Sequence, residues 1–119
     1  MRGGTRTMLE GLASNLERYL DLVSFRQKLV SSNIANADTP GYTTKDINFQ
    51  RELSSAVDGG SPSVVELEAL PAKTDGNNVS IDREARMLAE NALRFSVASS
   101  LVRAQLQAIR SAIHDGRNG

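Results

Sequence analysis

Leu88, Phe95, Val102 and Ile109 fall seven residues apart, and Ala92, Ala98, Leu106 and Ile113 fill the positions between them. An apolar repeat of seven, held for nearly four repeats, describes a helix that buries a seam against another helix. The element is expected from about Asp82 to His114. Asp82 suits the N-cap, and Glu84 suits the positive helix end. Gly116 would supply the stop, with Arg110 and His114 near the negative end.

A second long helix is expected from about Thr7 to Asn36. Thr7-Met8-Leu9-Glu10 and Ser14-Asn15-Leu16-Glu17 both match a capping box, so the start lies at one or the other. Gly11 lies between them and weakens the first turns. Leu9, Leu12, Leu16, Tyr19, Val23 and Val30 recur at helical spacing, and Leu22, Phe25 and Leu29 form an adjacent stripe. One stripe serves a two-helix pairing. Two make an apolar surface wider than a short chain easily covers by itself. The expectation is therefore that the terminal helices pair within the subunit and that Leu22, Phe25 and Leu29 meet neighbours. The opposite assignment, with Leu12, Leu16 and Val23 outward, stays open.

The first helix has a legible end. Thr39 precedes Pro40 and is pushed out of helical geometry. Pro40-Gly41 fits the centre of a type II turn. Between Tyr42 and Val79 the pattern is weak. Ile47, Phe49 and Leu53 are apolar anchors, Ser54 to Ser63 is a small-residue linker, and Val65 to Ala69 alternates like a short strand. Asp75-Gly76-Asn77-Asn78 is a further turn. The fold class is mainly α: long N- and C-terminal helices packed as an antiparallel, coiled-coil pair, around an irregular middle with room for a short β-hairpin. Residues 1–37 and 80–119 would form the terminal-helix unit, and 38–79 the junction and acidic linker.

Composition narrows the function. The 119 residues carry no net charge, yet residues 1–37 sum to +2, residues 38–84 to −5 and residues 85–119 to +3. Basic ends flanking an acidic middle suit complementary contacts between subunits. The basic residues are diluted along helices without an aromatic cluster, which argues against nucleic acid. With no cysteine there is no disulfide and no thiolate metal site. No apolar run reaches the length of a membrane span, and no apolar segment follows the basic N-terminus as in a cleaved secretion signal. The single histidine, His114, sits beside Asp115 at a helix end and lacks a second nitrogen ligand for zinc. Asp75-Gly76-Asn77 is only a fragment of a calcium loop, and Gly59-Gly60 lacks the strand-to-helix setting of a phosphate loop. No catalytic residue, cofactor, metal site or small-molecule substrate is expected.

One segment is much more specific. Asn33-Ile34-Ala35-Asn36 followed by Ala37-Asp38-Thr39-Pro40-Gly41-Tyr42 resembles the signature of the flagellar rod, hook and hook-filament axial proteins. Its continuation through Lys45-Asp46-Ile47-Asn48-Phe49 is similar to the proximal-rod members. So are Asp75 to Glu84 and Ala89-Glu90-Asn91-Ala92-Leu93-Arg94-Phe95. The resemblance covers both ends and about two-thirds of the chain. It implies a structural subunit of the bacterial flagellar basal-body rod, polymerised through its terminal helices into the axial tube that carries torque from motor to hook. It also implies type III export without a cleaved signal. Partners would be further copies of the chain and other rod, basal-body and export-gate proteins. Phe49 and Leu53, four apart, match the form of the short apolar export signal of such proteins; two core anchors on one helical turn would look the same.

The assembly seams are then expected at Leu12, Leu16, Tyr19, Leu22, Val23, Phe25, Leu29 and Val30 on the first helix, and at Leu88, Phe95, Val102, Leu106, Ile109 and Ile113 on the last. Asn33 and Asn36 lie three apart and are expected to fix the turn by bonding free backbone groups near Pro40-Gly41. The alternatives are a cytosolic helical adaptor or export chaperone, which would share the heptads but not the Asn-Ile-Ala-Asn junction, and, more remotely, a small hydrolase built on His114.

Overall fold

The computed structural model describes residues 2–55 and 60–118, with side chains described for residues 10–55 and 60–116. Helix α1 spans Arg2–Ala35, strand β1 Lys45–Ile47, helix α2 Phe49–Ser54, strand β2 Val64–Glu66 and helix α3 Ile81–Asn118. The two long helices pack together, β1 and α2 lie against α1 near its C-terminal half, and β2 pairs with β1. The radius of gyration is 19.4 Å and the extents are 71 × 25 × 16 Å. A compact chain of this length would have a radius near 13.5 Å. The molecule is thus elongated, and among the described residues α3 packs chiefly on α1.

The helix ends differ from the sequence expectation for local reasons. Helix α1 begins at Arg2, so both capping-box segments lie inside it; the side chains of Thr7, Met8 and Leu9 lie outside the described residues. Ser80, not Asp82, caps α3: its Oγ accepts from Arg83 N at 3.2 Å and its carbonyl from Glu84 N at 3.0 Å. Asp82 falls in the first turn, where its charge still suits the helix dipole. At the other end α3 runs through Gly116 to Asn118, so that glycine is not the stop. The cost of a glycine inside a helix is only about 0.5–1 kcal/mol. The turn after α1 forms as expected, with Tyr42 N donating to Thr39 O at 3.2 Å and Gly41 at φ 75°.

The middle does contain an antiparallel strand pair, with Lys45 opposite Glu66, Asp46 opposite Val65 and Ile47 opposite Val64. Its connection carries α2, capped by Asn48, whose Oδ1 accepts from Arg51 N at 3.1 Å. Strand β2 ends before Ala69 because Leu67 O is taken by Asn78 Nδ2 and by a turn to Leu70 N. The small-residue linker crosses residues 56–59, which lie outside the described set; Gly60 and Ser63 beyond it are tied to Arg18 and Glu52.

The second stripe of α1 points inward, not toward neighbours. Leu22, Val23, Ile47 and Phe49 form the core, with Tyr19, Phe25, Leu29 and Leu53 packed around it. The expected surplus was a cover for the middle region: Leu22 is fully buried within the subunit. Phe49 sits edge-on to Tyr19, centroids 5.4 Å apart, with the Arg94 guanidinium 4.1 Å over its ring. Such stacking adds to the apolar burial of the ring.

Candidate assembly site

The junction after α1 is held by amides. Asn33 is fully buried. Its Nδ2 donates to Lys45 O at 2.8 Å and to Glu84 Oε1, and its Oδ1 accepts from Lys45 N at 3.0 Å and Tyr42 OH at 3.1 Å. All four bonds open to an asparagine amide are made. Asn33 thereby meets both backbone groups of the first residue of β1, as a neighbouring strand would. It also links that strand to the first turn of α3.

The backbone groups near Pro40-Gly41 are satisfied by other residues than expected. Asn77, also fully buried, donates from Nδ2 to Asn36 O and Thr39 O, both at 2.8 Å. Gly41 N donates to Asp75 O at 2.9 Å. Asn36 instead closes its own helix, donating to Ser32 O at 2.9 Å and accepting from the Thr39 hydroxyl at 3.0 Å. Asn78 Oδ1 accepts from Thr44 N at 2.7 Å and from Thr44 Oγ1 at 2.9 Å. Gly76, at φ 86°, lies so close to Gly41 that a Cβ there would sit 3.4 Å from Gly41 Cα. Two turns distant in sequence are thus seated backbone to backbone, each on a glycine in the left-handed region.

An ionic cluster lies beside this amide lock. Asp46, buried on β1, accepts from Arg26 Nε and Nη2, both at 2.9 Å, and from Arg83 Nη2. Arg83 Nη1 reaches the fully buried Glu84 carboxylate at 2.9 Å. Burial alone would raise the Asp46 pKa, but the Arg26 guanidinium, the Ile47 N–H and Arg83 outweigh it and hold the carboxyl below its ordinary range. The cluster ties α1, β1 and α3 together where the long helices meet.

The motif residues therefore divide. Asn33 and Tyr42 face the lock, Asn36 and Ala37 are half-buried, and Ile34, Ala35, Asp38, Thr39, Pro40 and Gly41 are exposed. Asn77, Asn78, Glu84, Asp46, Arg26 and Arg83 were not singled out as site residues from sequence. The signal available was the pairing of two amide-rich blocks, Asn33–Asn36 and Asn77–Asn78, in one short chain. The expected seams divide as well. Leu16, Val23 and Val30 are buried, and Leu88 and Val102 are half-buried. Leu12, Phe95, Leu106, Ile109 and Ile113 remain exposed. Phe49 and Leu53 are a buried and a half-buried core anchor.

Comparison with known proteins decides the family. A family model described as Flagella basal body rod protein matches residues 24–43, the end of α1 and the junction. The flagellar basal body rod protein FlgB of Escherichia coli K12 is 32% identical, over 84% of this chain and 91% of its own. That of Yersinia enterocolitica is 30% identical, over 91% of this chain and 97% of its own. The chain belongs to the FlgB family of flagellar basal body rod proteins. A more distant relative, FlgB of Bacillus subtilis, is 26% identical over 93% of this FlgB-family chain. The chain is accordingly a structural component of the flagellar basal body and not an enzyme. Among the described residues no helix is long and apolar enough to cross a membrane.

Proposed function

We propose that this FlgB-family chain polymerises through its terminal helices into the axial tube of the proximal rod, next to copies of itself and to other rod and basal-body proteins. Residues 1–37 and 80–119 act as the rod-forming unit, and 38–79 as the brace that sets the angle between its helices. The observation that carries this reading is the uncovered distal half of α3. There Leu106 is 49% and Ile113 57% exposed. Apolar area of that kind, repeated along a stiff hairpin, is stabilised by neighbours. Long helices with dry seams resist bending and carry torque from motor to hook without moving parts.

We further propose type III export, with Phe49 and Leu53 as the signal read by the export gate. Because Phe49 is buried in the folded chain, the signal would be readable only before folding.

Leu106→Ser with Ile113→Ser tests the rod reading. In cells whose only copy is this variant, the chain should be secreted and folded but absent from purified basal bodies, and swimming should be lost. Normal incorporation and motility would overturn the reading, and recovery of the parent chain only in cytosolic complexes would favour the adaptor class instead.

A further inference from the structure

Helix α2 carries both residues of the proposed export signal and has only six residues, too few to persist alone. Its cover comes from two parts of the chain. Leu22, Val23 and Ile47, from α1 and β1, pack around Phe49. The rest comes from α3. The Arg94 guanidinium lies 4.1 Å from the centroid of the Phe49 ring, well inside the range of a cation–π contact. Leu53 shares a cleft with Leu16 of α1 and with Val97 and Leu101 of α3. With both covers in place Phe49 is 5% exposed.

Arg94 is seated between the long helices. Its Nη1 donates to the Tyr19 hydroxyl at 3.5 Å and its Nη2 to Glu90 Oε1 at 3.1 Å. Its Nε is closed to solvent and meets no acceptor among the described residues. A buried N–H without an acceptor is costly, and the ring face offsets that cost. Arg26 of α1 also stands near the ring, but 6.0 Å from its centroid, at the limit of such a contact, and it is committed to Asp46. The clasp on Phe49 therefore leaves with α3. Chain order gives it a direction. Helix α1, β1 and α2 precede α3 and are made first. Until α3 is made and docked, Phe49 lacks its cation and Leu53 lacks one wall of its cleft.

We propose that docking of α3 is the folding step that closes the export signal, with Arg94 as its clasp. A chain whose α1 and middle region have already formed stays readable by the export gate until Arg94 is seated on Phe49. This rests on the export reading of Phe49 and Leu53 above and supplies its control.

The test uses full-length chains and separates local opening from loss of the whole fold. Glu52 N, bonded to Asn48 O at 2.9 Å, reports α2, and Lys45 N, bonded to Asn33 Oδ1 at 3.0 Å, reports the lock. Because the chain has no cysteine, Ala98→Cys, at a position 1% exposed, reports release of α3 by its reaction with a maleimide. Arg94→Ala should speed amide exchange at Glu52 and thiol reaction at position 98 by about fivefold, the scale of one cation–π contact, with exchange at Lys45 unchanged. Arg94→Lys, which keeps a cation for the ring, should stay near the parent. In cells whose protein synthesis has been stopped, Arg94→Ala chains should remain secretable after parent chains have ceased to be. Secretion of Phe49→Ala at the parent level overturns the export reading itself. Loss of secretion in Phe49→Ala, with Arg94→Ala unchanged in exchange and in secretion, overturns α3 as the closing step and leaves the signal standing. Equal acceleration at Lys45 and Glu52 also overturns it, because Arg94 would then act on the whole fold.

Discussion

Asn33 shows what a single side chain can hold. Its four bonds join α1, the junction, β1 and α3. Asn33→Ala leaves both backbone groups of Lys45 and the buried Glu84 carboxylate short of a partner. A loss of about 3 kcal/mol is expected, less than three fully orphaned groups would cost because Lys45 is half-buried and Glu84 keeps Arg83, and urea unfolding would read it as a lower midpoint. Asn36→Ala, whose bonds lie in exposed helix-end geometry, should cost under about 1 kcal/mol. Asp46 carries a pH signature. Its folded pKa is lowered, so its contribution is present above the ordinary carboxylate range near pH 4 and is lost as pH falls through the depressed value. Asp46→Asn should therefore flatten the acid limb of a stability–pH profile while lowering the plateau, because Arg26 and Arg83 lose their counter-charge. An unchanged slope below about pH 4 would show that other carboxylates dominate acid unfolding.

At the scale of elements, the middle region follows from packing more than from propensity. Strands β1 and β2 are three residues each, too short to persist alone. They stand because Asn33 and Asn78 bond the backbone around Thr44 and Lys45, and because Ile47 and Phe49 close over Leu22. Period made the helices legible, since the spacing of Leu16, Val23 and Val30 depends only on local geometry, whereas the expected start of α1 and both expected ends of α3 were displaced. The inward direction of Leu22, Phe25 and Leu29 was not legible. A stripe looks the same in sequence whether its cover comes from the same chain or from another. The difference here was made by Phe49, a single aromatic in a weakly patterned stretch.

For the whole molecule, shape sets stability. A hairpin 71 Å long and 16 Å thin cannot bury both faces of its outer turns, and helix formation alone is marginal. The distal halves should accordingly gain order on assembly. Circular dichroism of the dilute chain should show less helix than assembled material, and hydrogen exchange should be fast beyond about Val102 but slow around Leu22 and Asn33. A dilute monomer that is fully helical and melts in one cooperative step would contradict this.

The two long helices, the sharp stop at Pro40-Gly41 and the family of the junction were determined by the sequence alone. Each rests on spacing or on the backbone preferences of one or two residues. The brace that sets one helix against the other was decided only by tertiary structure. Its parts, Asn33, Asp46, Asn77 and Glu84, are separated by up to 51 residues. Buried polar groups of this kind are tolerated only when every partner is in place, and no local pattern announces where those partners will meet.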